Sequence, residues 1–327
     1  MRRSLSALWL AAGACAAAEG LSNDARAQGF PSNPIRVIVP FAPGGGSDLV
    51  GRLVAQELAD ALKQPAIVEN RAGAAGRVGA EFVAKAPADG HTLLVATSSI
   101  MITGPALYAK LPFDVQKDFA PVTLLASSPY VLVVHPSVPA KTVRELIAVA
   151  KSRPGVLNYA SAGSGAPAHL AGELFKSMAG VDMVHIAYKG SAPATMAVLA
   201  GEMDLMFSSI SPAIPAMQSQ RLRGIAITSA KRSAQLPQLP TVAESGLPGF
   251  RVETLFALLA PAGTPQNVVT QLNAVLVKAF DSAEVRKRLA STGTDPMVST
   301  PENLGKIIRE ETRIWTQVIR DAGIKPE

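Results

Sequence analysis

The sequence predicts an α/β protein folded as two lobes, and three observations carry that prediction. Segments of β-rich and helical character alternate with short gaps, the order that builds a parallel sheet covered on both faces. The alternation begins afresh at about residue 124, so the chain holds two such units. Its 327 residues, 48% hydrophobic and 17% charged, suffice for two cores of ordinary size and exclude wholesale disorder.

The first 27 residues read as a signal peptide. Arg2 and Arg3 supply the positive start, Leu5 to Ala18 the apolar stretch, and Ala25-Arg26-Ala27 the small residues of a cleavage site before Gln28. Cys15 is the one cysteine and lies in this segment; Ala12-Gly13-Ala14 before it lacks the leucine of a lipidation site. The exported chain is thus expected to have no disulfide, no thiolate nucleophile and no cysteine-based metal site. No later stretch is long and apolar enough to cross a bilayer.

In the first unit, Ile35-Arg36-Val37-Ile38-Val39 reads as a buried strand. Leu49, Val50, Leu53, Val54, Leu58, Ala61 and Leu62 then recur at helical spacing. Strand 66–68, helix 78–85 and strand 92–96 follow. The second unit runs through an extended stretch at 124–135, broken by Ser127-Ser128-Pro129. After it come helix 143–151, strand 157–160, helix 168–178, strand 183–188, helix 192–199 and strands 204–207 and 222–228. A stretch punctuated by Pro237, Pro240 and Pro248 leads to a strand near 252–259 and three helices. The last of these, 302–322, carries Leu304, Ile307, Ile308, Trp315, Val318 and Ile319 on one side, a stripe that packs on the body. Crossovers at 123–125 outward and 226–228 returning divide the chain into lobe 1 (28–123 with 229–327) and lobe 2 (124–228).

A net charge of +6 modestly favours an anionic ligand. The basic residues are scattered and aromatics are 5%, so no nucleic-acid partner is expected. The most informative loop, Pro40-Phe41-Ala42-Pro43-Gly44-Gly45-Gly46-Ser47-Asp48, joins a strand to a helix start. There unpaired N–H groups and the helix dipole attract negative charge. Its glycines admit a ligand close to the backbone, and Ser47 or Asp48 can act as N-cap. A plain strand-to-helix turn is the alternative reading.

Nucleotide chemistry fits poorly. There is no G-x-x-x-x-G-K-[ST], and although Glu69 ends the second strand about where a ribose acid would sit, Leu49 stands where a dinucleotide fingerprint needs Gly or Ala. No cofactor is expected.

The second unit repeats the chemistry in Ser161-Ala162-Gly163-Ser164-Gly165-Ala166-Pro167-Ala168-His169. Two such loops, one per lobe, are suited to hold a carboxylate between neutral donors. Strand ends at Ser98-Ser99, Tyr188-Lys189-Gly190 and Ser208-Ser209 are expected to open on the same cleft. Asp204 begins a buried strand, where it either caps or pairs, or anchors waters or the lobe interface. Lys189 is either a solvated loop residue or a ligand contact.

Ser164 lacks the G-x-S-x-G setting of a nucleophile, and His169, five residues on along the next helix, is awkwardly placed as its base. His91, His135, His169 and His185 show no metal-ligand spacing, so neither catalytic nor metal-binding residues are expected.

The Pro40 to Asp48 loop resembles the periplasmic solute-binding receptors of the tripartite tricarboxylate transporter family, often called Bug proteins. So do Glu69-Asn70-Arg71-Ala72-Gly73-Ala74-Ala75-Gly76, Asp89-Gly90-His91-Thr92-Leu93-Leu94, Gly163-Ser164-Gly165 through His169-Leu170, and Tyr188-Lys189-Gly190. Leu239-Pro240-Thr241-Val242-Ala243-Glu244-Ser245-Gly246 and Ala260-Pro261-Ala262-Gly263-Thr264-Pro265 complete the set. The resemblance implies a type II periplasmic-binding-protein (Venus-flytrap) fold that closes on a small organic acid.

By the same resemblance Phe41, Ala42, Gly46, Ser47 and Asp48 line one jaw and Ser161, Gly163, Ser164 and Gly165 the other. Tyr188, Lys189, Asp204 and Ser208 stand in second rank. Departures from the family pattern are Ala187, Leu255 and Thr103-Gly104; with no charge between Ser98 and Thr103, a monocarboxylate or mixed polar and apolar ligand is favoured.

The expected function is a non-enzymatic, periplasmic, monomeric receptor that delivers a carboxylate to an inner-membrane permease. The alternatives are a ligand sensor feeding a signalling system and an enzyme of carboxylate metabolism.

Overall fold

The computed structural model describes residues 29–188, 190–321 and 323–324. The expected signal peptide, its cleavage site, Cys15 and Lys189 lie outside the described residues. The opening unit is β1 (Ile35–Val39), α1 (Gly46–Leu62), β2 (Ala66–Asn70), α2 (Arg77–Ala84) and β3 (Thr92–Thr97). A wide helical turn, Ser99–Thr103, and the short α3 (Gly104–Leu107) lead to the 16-residue β4 (Phe119–Val134). Next come α4 (Val143–Ser152), β5 (Asn158–Ser161), α5 (Pro167–Ala179), β6 (Val184–Ala187), α6 (Ser191–Leu199), β7 (Leu205–Ser209), α7 (Ile210–Gln218) and β8 (Arg223–Ile227). The chain ends with β9 (Glu253–Pro261), α8 (Gln266–Phe280), α9 (Ala283–Ala290), β10 (Asp295–Pro296) and α10 (Pro301–Asp321).

The strands line up as β2-β1-β3-β9-β4-β7-β5-β6, with β8 and β10 also pairing to β4. The outer strands are parallel, as the alternating pattern predicts, but β9 and β4 run antiparallel to their neighbours in the middle. β4 passes from one half of the molecule to the other, running in the direction of β1–β3 and against β7, while β9 lies between β3 and β4 and runs against both.

β4 is the outward crossing. Its residues up to Pro129 pair with β9, and from Tyr130 they pair with β7 and β8. Ser127-Ser128-Pro129, expected to break the strand, instead mark the change of partners. A proline, with no N–H to give, is tolerated where the ladder is interrupted anyway. The change of partners thus falls between Pro129 and Tyr130.

Thr241 bridges to Ile227 in parallel, and Thr228 Oγ1 donates to the Val252 carbonyl at 2.6 Å. After these contacts the chain continues into β9. Besides the one-turn α3, one longer helix escapes the sequence pattern: α7 contains Pro215, whose presence argues against a helix. Its end is closed by Ser219 Oγ, which donates to the Pro215 carbonyl at 2.8 Å.

Three apolar cores result. One packs β1, β3 and β9 against α1 and α8, with Leu53, Leu58, Leu272 and Phe280 fully buried. A second lies under α6 and α7. The third is continuous across both halves, running from Ile38 and Leu94 to Leu132 and Phe207. The α10 stripe packs here, with Leu304, Ile308, Trp315 and Ile319 buried.

Candidate functional site

The first loop leaves β1 and enters α1 in a shape set by one buried carboxylate. Asp48 Oδ2 accepts the Gly44 N–H at 3.0 Å and Arg52 Nε at 2.9 Å, while Oδ1 accepts Asn70 Nδ2 at 2.9 Å. The same Asn70 amide donates to the Phe41 carbonyl at 3.0 Å, tying down the start of the loop. Burial alone would raise the Asp48 pKa, but the hydrogen bonds from Arg52, Asn70 and Gly44 and the Arg52 charge hold it below the usual carboxylate range. Both Asp48 oxygens are thus engaged within the protein, where they fix the shape of the loop.

Neither Ser47 nor Asp48 caps α1. The N-cap is Gly45, with no side-chain hydrogen bond, and the Asp48 and Leu49 N–H groups return to its carbonyl at 3.1 Å. The Gly46 and Ser47 N–H groups therefore have no acceptor within the helix. Gly46 and Ala42 are exposed, Phe41 is half-buried and Ser47 is buried. A Cβ on Gly46 would sit 3.4 Å from the Phe256 ring, which makes that ring the floor beside the loop.

The second loop joins β5 to α5. Gly163 has φ +140° and Gly165 φ +76°, backbone that favours glycine. Ser161, fully buried, accepts the Gly163 N–H at 3.2 Å and lies 2.7 Å from His185 Nε2. The Gly165 N–H, expected to face a ligand, donates instead to His169 Nδ1 at 2.9 Å. The Ser164 Oγ is the informative atom: it is buried and has no hydrogen-bond partner among the described residues. Behind it α5 starts with Ala166 as N-cap and Pro167 in its first turn, again with no side-chain cap. An uncapped start alone marks nothing, since α8 also lacks a side-chain cap. The loops before the two site helices hold two glycines each outside the helix, Gly44-Gly45 and Gly163 with Gly165, where the loop before α8 holds Gly263 alone.

The second-rank residues divide. Tyr188 belongs to the site region: its N–H donates to the Ser161 carbonyl at 3.0 Å, and the Gly190 N–H donates to Ala162 O at 3.1 Å. Ser208 ends β7 on the same side, but it is fully buried and its hydroxyl donates to the Ser209 carbonyl. Asp204 lies at the other end of the strands. It accepts the Asn158 N–H at 2.7 Å where β5 and β7 begin, opposite the Ser161 end of parallel strands. Ser98 joins β3 to β9, accepting the Leu255 N–H at 2.7 Å and donating to Glu253 O. Glu69 forms ion pairs with Arg36 and Arg71, which engage the carboxylate that a ribose would have needed.

The two halves approach each other around α3. A Cβ on Gly165 would fall 2.7 Å from Leu107 Cδ2, and Ile100, in the turn before α3, lies against Gly76 with Phe41. A recess beside this contact is lined by Ser98, Thr103, Pro167, Leu170, Leu255 and Trp315. Its interior of about 20 Å³ holds one water at most. Arg251 reaches it too, but it is paired with Glu253 at 3.2 Å and Glu311 at 3.6 Å. Burial pushes the Glu253 pKa up against the pull of Arg251.

Arg251 and the polar cluster of Tyr159, His169, Glu173 and His185 were missed from sequence. Only the step of four between Gly165 and His169, one helical turn, hinted that the ring lies under the loop. Among the described residues no three His, Cys, Asp or Glu side chains gather as a metal site. No helix among them is long and apolar enough to cross a membrane.

Residues 50–324 match the tripartite tricarboxylate transporter family receptor. The chain is 37% identical to Protein BugT of Bordetella pertussis over 310 residues, covering 94% of this chain and 95% of that one. Among solved structures it resembles Rpa4515 of R. palustris with adipate, with TM-score 0.82, 35% identity, and 91% and 100% of the two chains covered. It also resembles MatC of Rhodopseudomonas palustris with bound malate, with TM-score 0.77, 36% identity, and 89% and 100% covered. The architecture is thus the two-lobed type II periplasmic-binding-protein fold, and the matched family is one of receptors rather than enzymes. With its paired glycine loops, its strand that feeds both halves and a match along most of its length, this chain belongs to the periplasmic receptors of the tripartite tricarboxylate transporter family.

Proposed function

We propose that the protein captures a small organic acid between the Gly46–Ser47 helix start and the Ser164 loop, and delivers it to its permease. One observation carries this reading: the buried, unpartnered Ser164 hydroxyl at the head of an uncapped helix. A buried hydroxyl without a partner is costly, and a carboxylate oxygen would satisfy it. Support also comes from the adipate and malate seen in the related receptors. Phe41, Ala42 and Tyr188 border the site, and Asp48 and Ser161 brace its two loops.

The lobes are 29–129 with 253–324, and 130–252. A ligand that touches both stabilises the closed arrangement over the open one. The chain is exported with cleavage near Ala27 and works as a monomer; N-terminal sequencing of the periplasmic protein and light scattering test these points.

The ligand test is a thermal-shift screen of mono- and dicarboxylic acids at pH 7.5, followed by calorimetry. An acid at 100 times its dissociation constant stabilises the fold by about 2.7 kcal/mol, a shift of several degrees. A screen in which amines or neutral sugars stabilise the protein and no acid does would overturn the reading.

A further inference from the structure

Under the second loop lies a stack of rings. His169 and His185 lie face to face with centroids 3.9 Å apart, and Tyr159 sits against His185 at 4.9 Å. Each imidazole supports one glycine of the loop. His169 Nδ1 accepts the Gly165 N–H at 2.9 Å. His185 Nε2 shares a 2.7 Å hydrogen bond with Ser161 Oγ, and that oxygen accepts the Gly163 N–H.

A ring nitrogen that accepts an N–H must carry its lone pair. In the loop-holding state His169 is therefore unprotonated at Nδ1. Protonation there sets two donors against each other and releases Gly165. Resting on the carboxylate reading above, we infer that His169, backed by His185, is a positioning residue for the second jaw, so that acidification loosens the grip on the ligand.

The surrounding charges act in both directions. From the same helix, Glu173 Oε1 stands 4.0 Å from His169 Nε2 and favours the protonated ring. Lys176, at 2.9 Å from that oxygen, and the Tyr159 hydroxyl, at 2.6 Å, draw on the same carboxylate and weaken its pull. From β6, the stacked His185 opposes a second positive charge. Burial and the Glu173 charge keep the Tyr159 hydroxyl protonated, a donor throughout. The neutral ring holds the loop, and its support is lost as falling pH protonates it. A cationic His169 acting only through space would attract an anion instead, so the sign of the effect decides.

The experiment compares the wild-type protein with His169→Asn, which keeps an acceptor and does not titrate, and His169→Leu, which keeps neither. Adipate and malate are the probes, with affinities measured by calorimetry at pH 7.5 and 5.5. Protonation of the acids is common to all variants and cancels in the ratio. Wild type should lose about tenfold more affinity on acidification than His169→Asn, and His169→Leu should bind weakly at both pH values. An equal pH response in wild type and His169→Asn, or tighter wild-type binding in acid, would overturn the inference.

The Gly165 amide supplies a readout that needs no ligand. In the free wild-type protein its exchange protection should fall between pH 7.5 and 5.5, with the midpoint of the His169 ring signals. Unchanged protection would also refute it. If neither acid binds at pH 7.5, the carboxylate reading fails for those acids while the amide still decides this one.

Discussion

The two jaws present the same chemistry by different means. The first loop is braced by an anion, Asp48, whose oxygens take three donors. The second is braced by imidazoles, His169 through the Gly165 N–H and His185 through Ser161. A buried carboxylate with a cationic partner is a strong, pH-tolerant support, whereas an imidazole keeps its acceptor only while neutral. The lesson is that equivalent loops in the two lobes need not respond alike to acid.

The largest effect expected is from Gly46→Asp. A carboxylate at the first position of α1 suits the helix dipole, so the protein should fold. It would also occupy the N–H groups proposed to hold the ligand and repel an incoming acid, for a loss of more than about a hundredfold in affinity. Unchanged affinity by calorimetry would remove the first jaw from the site.

Asp48→Ala should come next, lowering stability by about 2–3 kcal/mol in urea unfolding as the Gly44, Arg52 and Asn70 donors lose their acceptor. The acid response follows from its depressed pKa. The contribution is present above the unfolded value, about 3.9, and is lost as pH falls through the lower folded value. The first jaw should thus hold at pH 5.5; an Asp48-dependent loss of stability there would contradict this.

Ser164→Ala is milder, about 1 kcal/mol of affinity or roughly fivefold, because one neutral hydroxyl is removed. Its stability should be unchanged or slightly raised, since an unsatisfied buried group is deleted.

Smallest is Thr142→Ala, outside both jaws. Thr142 Oγ1 accepts the Glu145 N–H at 3.2 Å as the cap of α4, so its loss should cost about 1 kcal/mol or less of stability with no change in affinity. Any affinity change would mean that the two jaws are not the whole of the site.

Most of the βαβ order was legible because apolar periodicity reports directly on which face of an element is buried. Pro215 concealed α7, since local propensity opposes a helix that tertiary packing nevertheless supports. Asp204 came in with the family resemblance, although the sequence itself starts a strand there and a ligand is expected beyond the opposite ends of parallel strands. The β5–β7 pairing decides it.

The sequence by itself determined the two alternating units, the glycine loops at strand-to-helix joints and the absence of a charged clamp between Ser98 and Thr103. These are local properties, written in neighbouring residues. Only the tertiary structure decided that Asp48 turns inward, that Gly165 is claimed by His169, that Arg251 meets two glutamates, and that β4 changes partners at Pro129. Each depends on residues brought together from distant parts of the chain or on which of several nearby acceptors a donor finds. Hydrogen bonds are short and directional, so no periodicity in the chain foretells them.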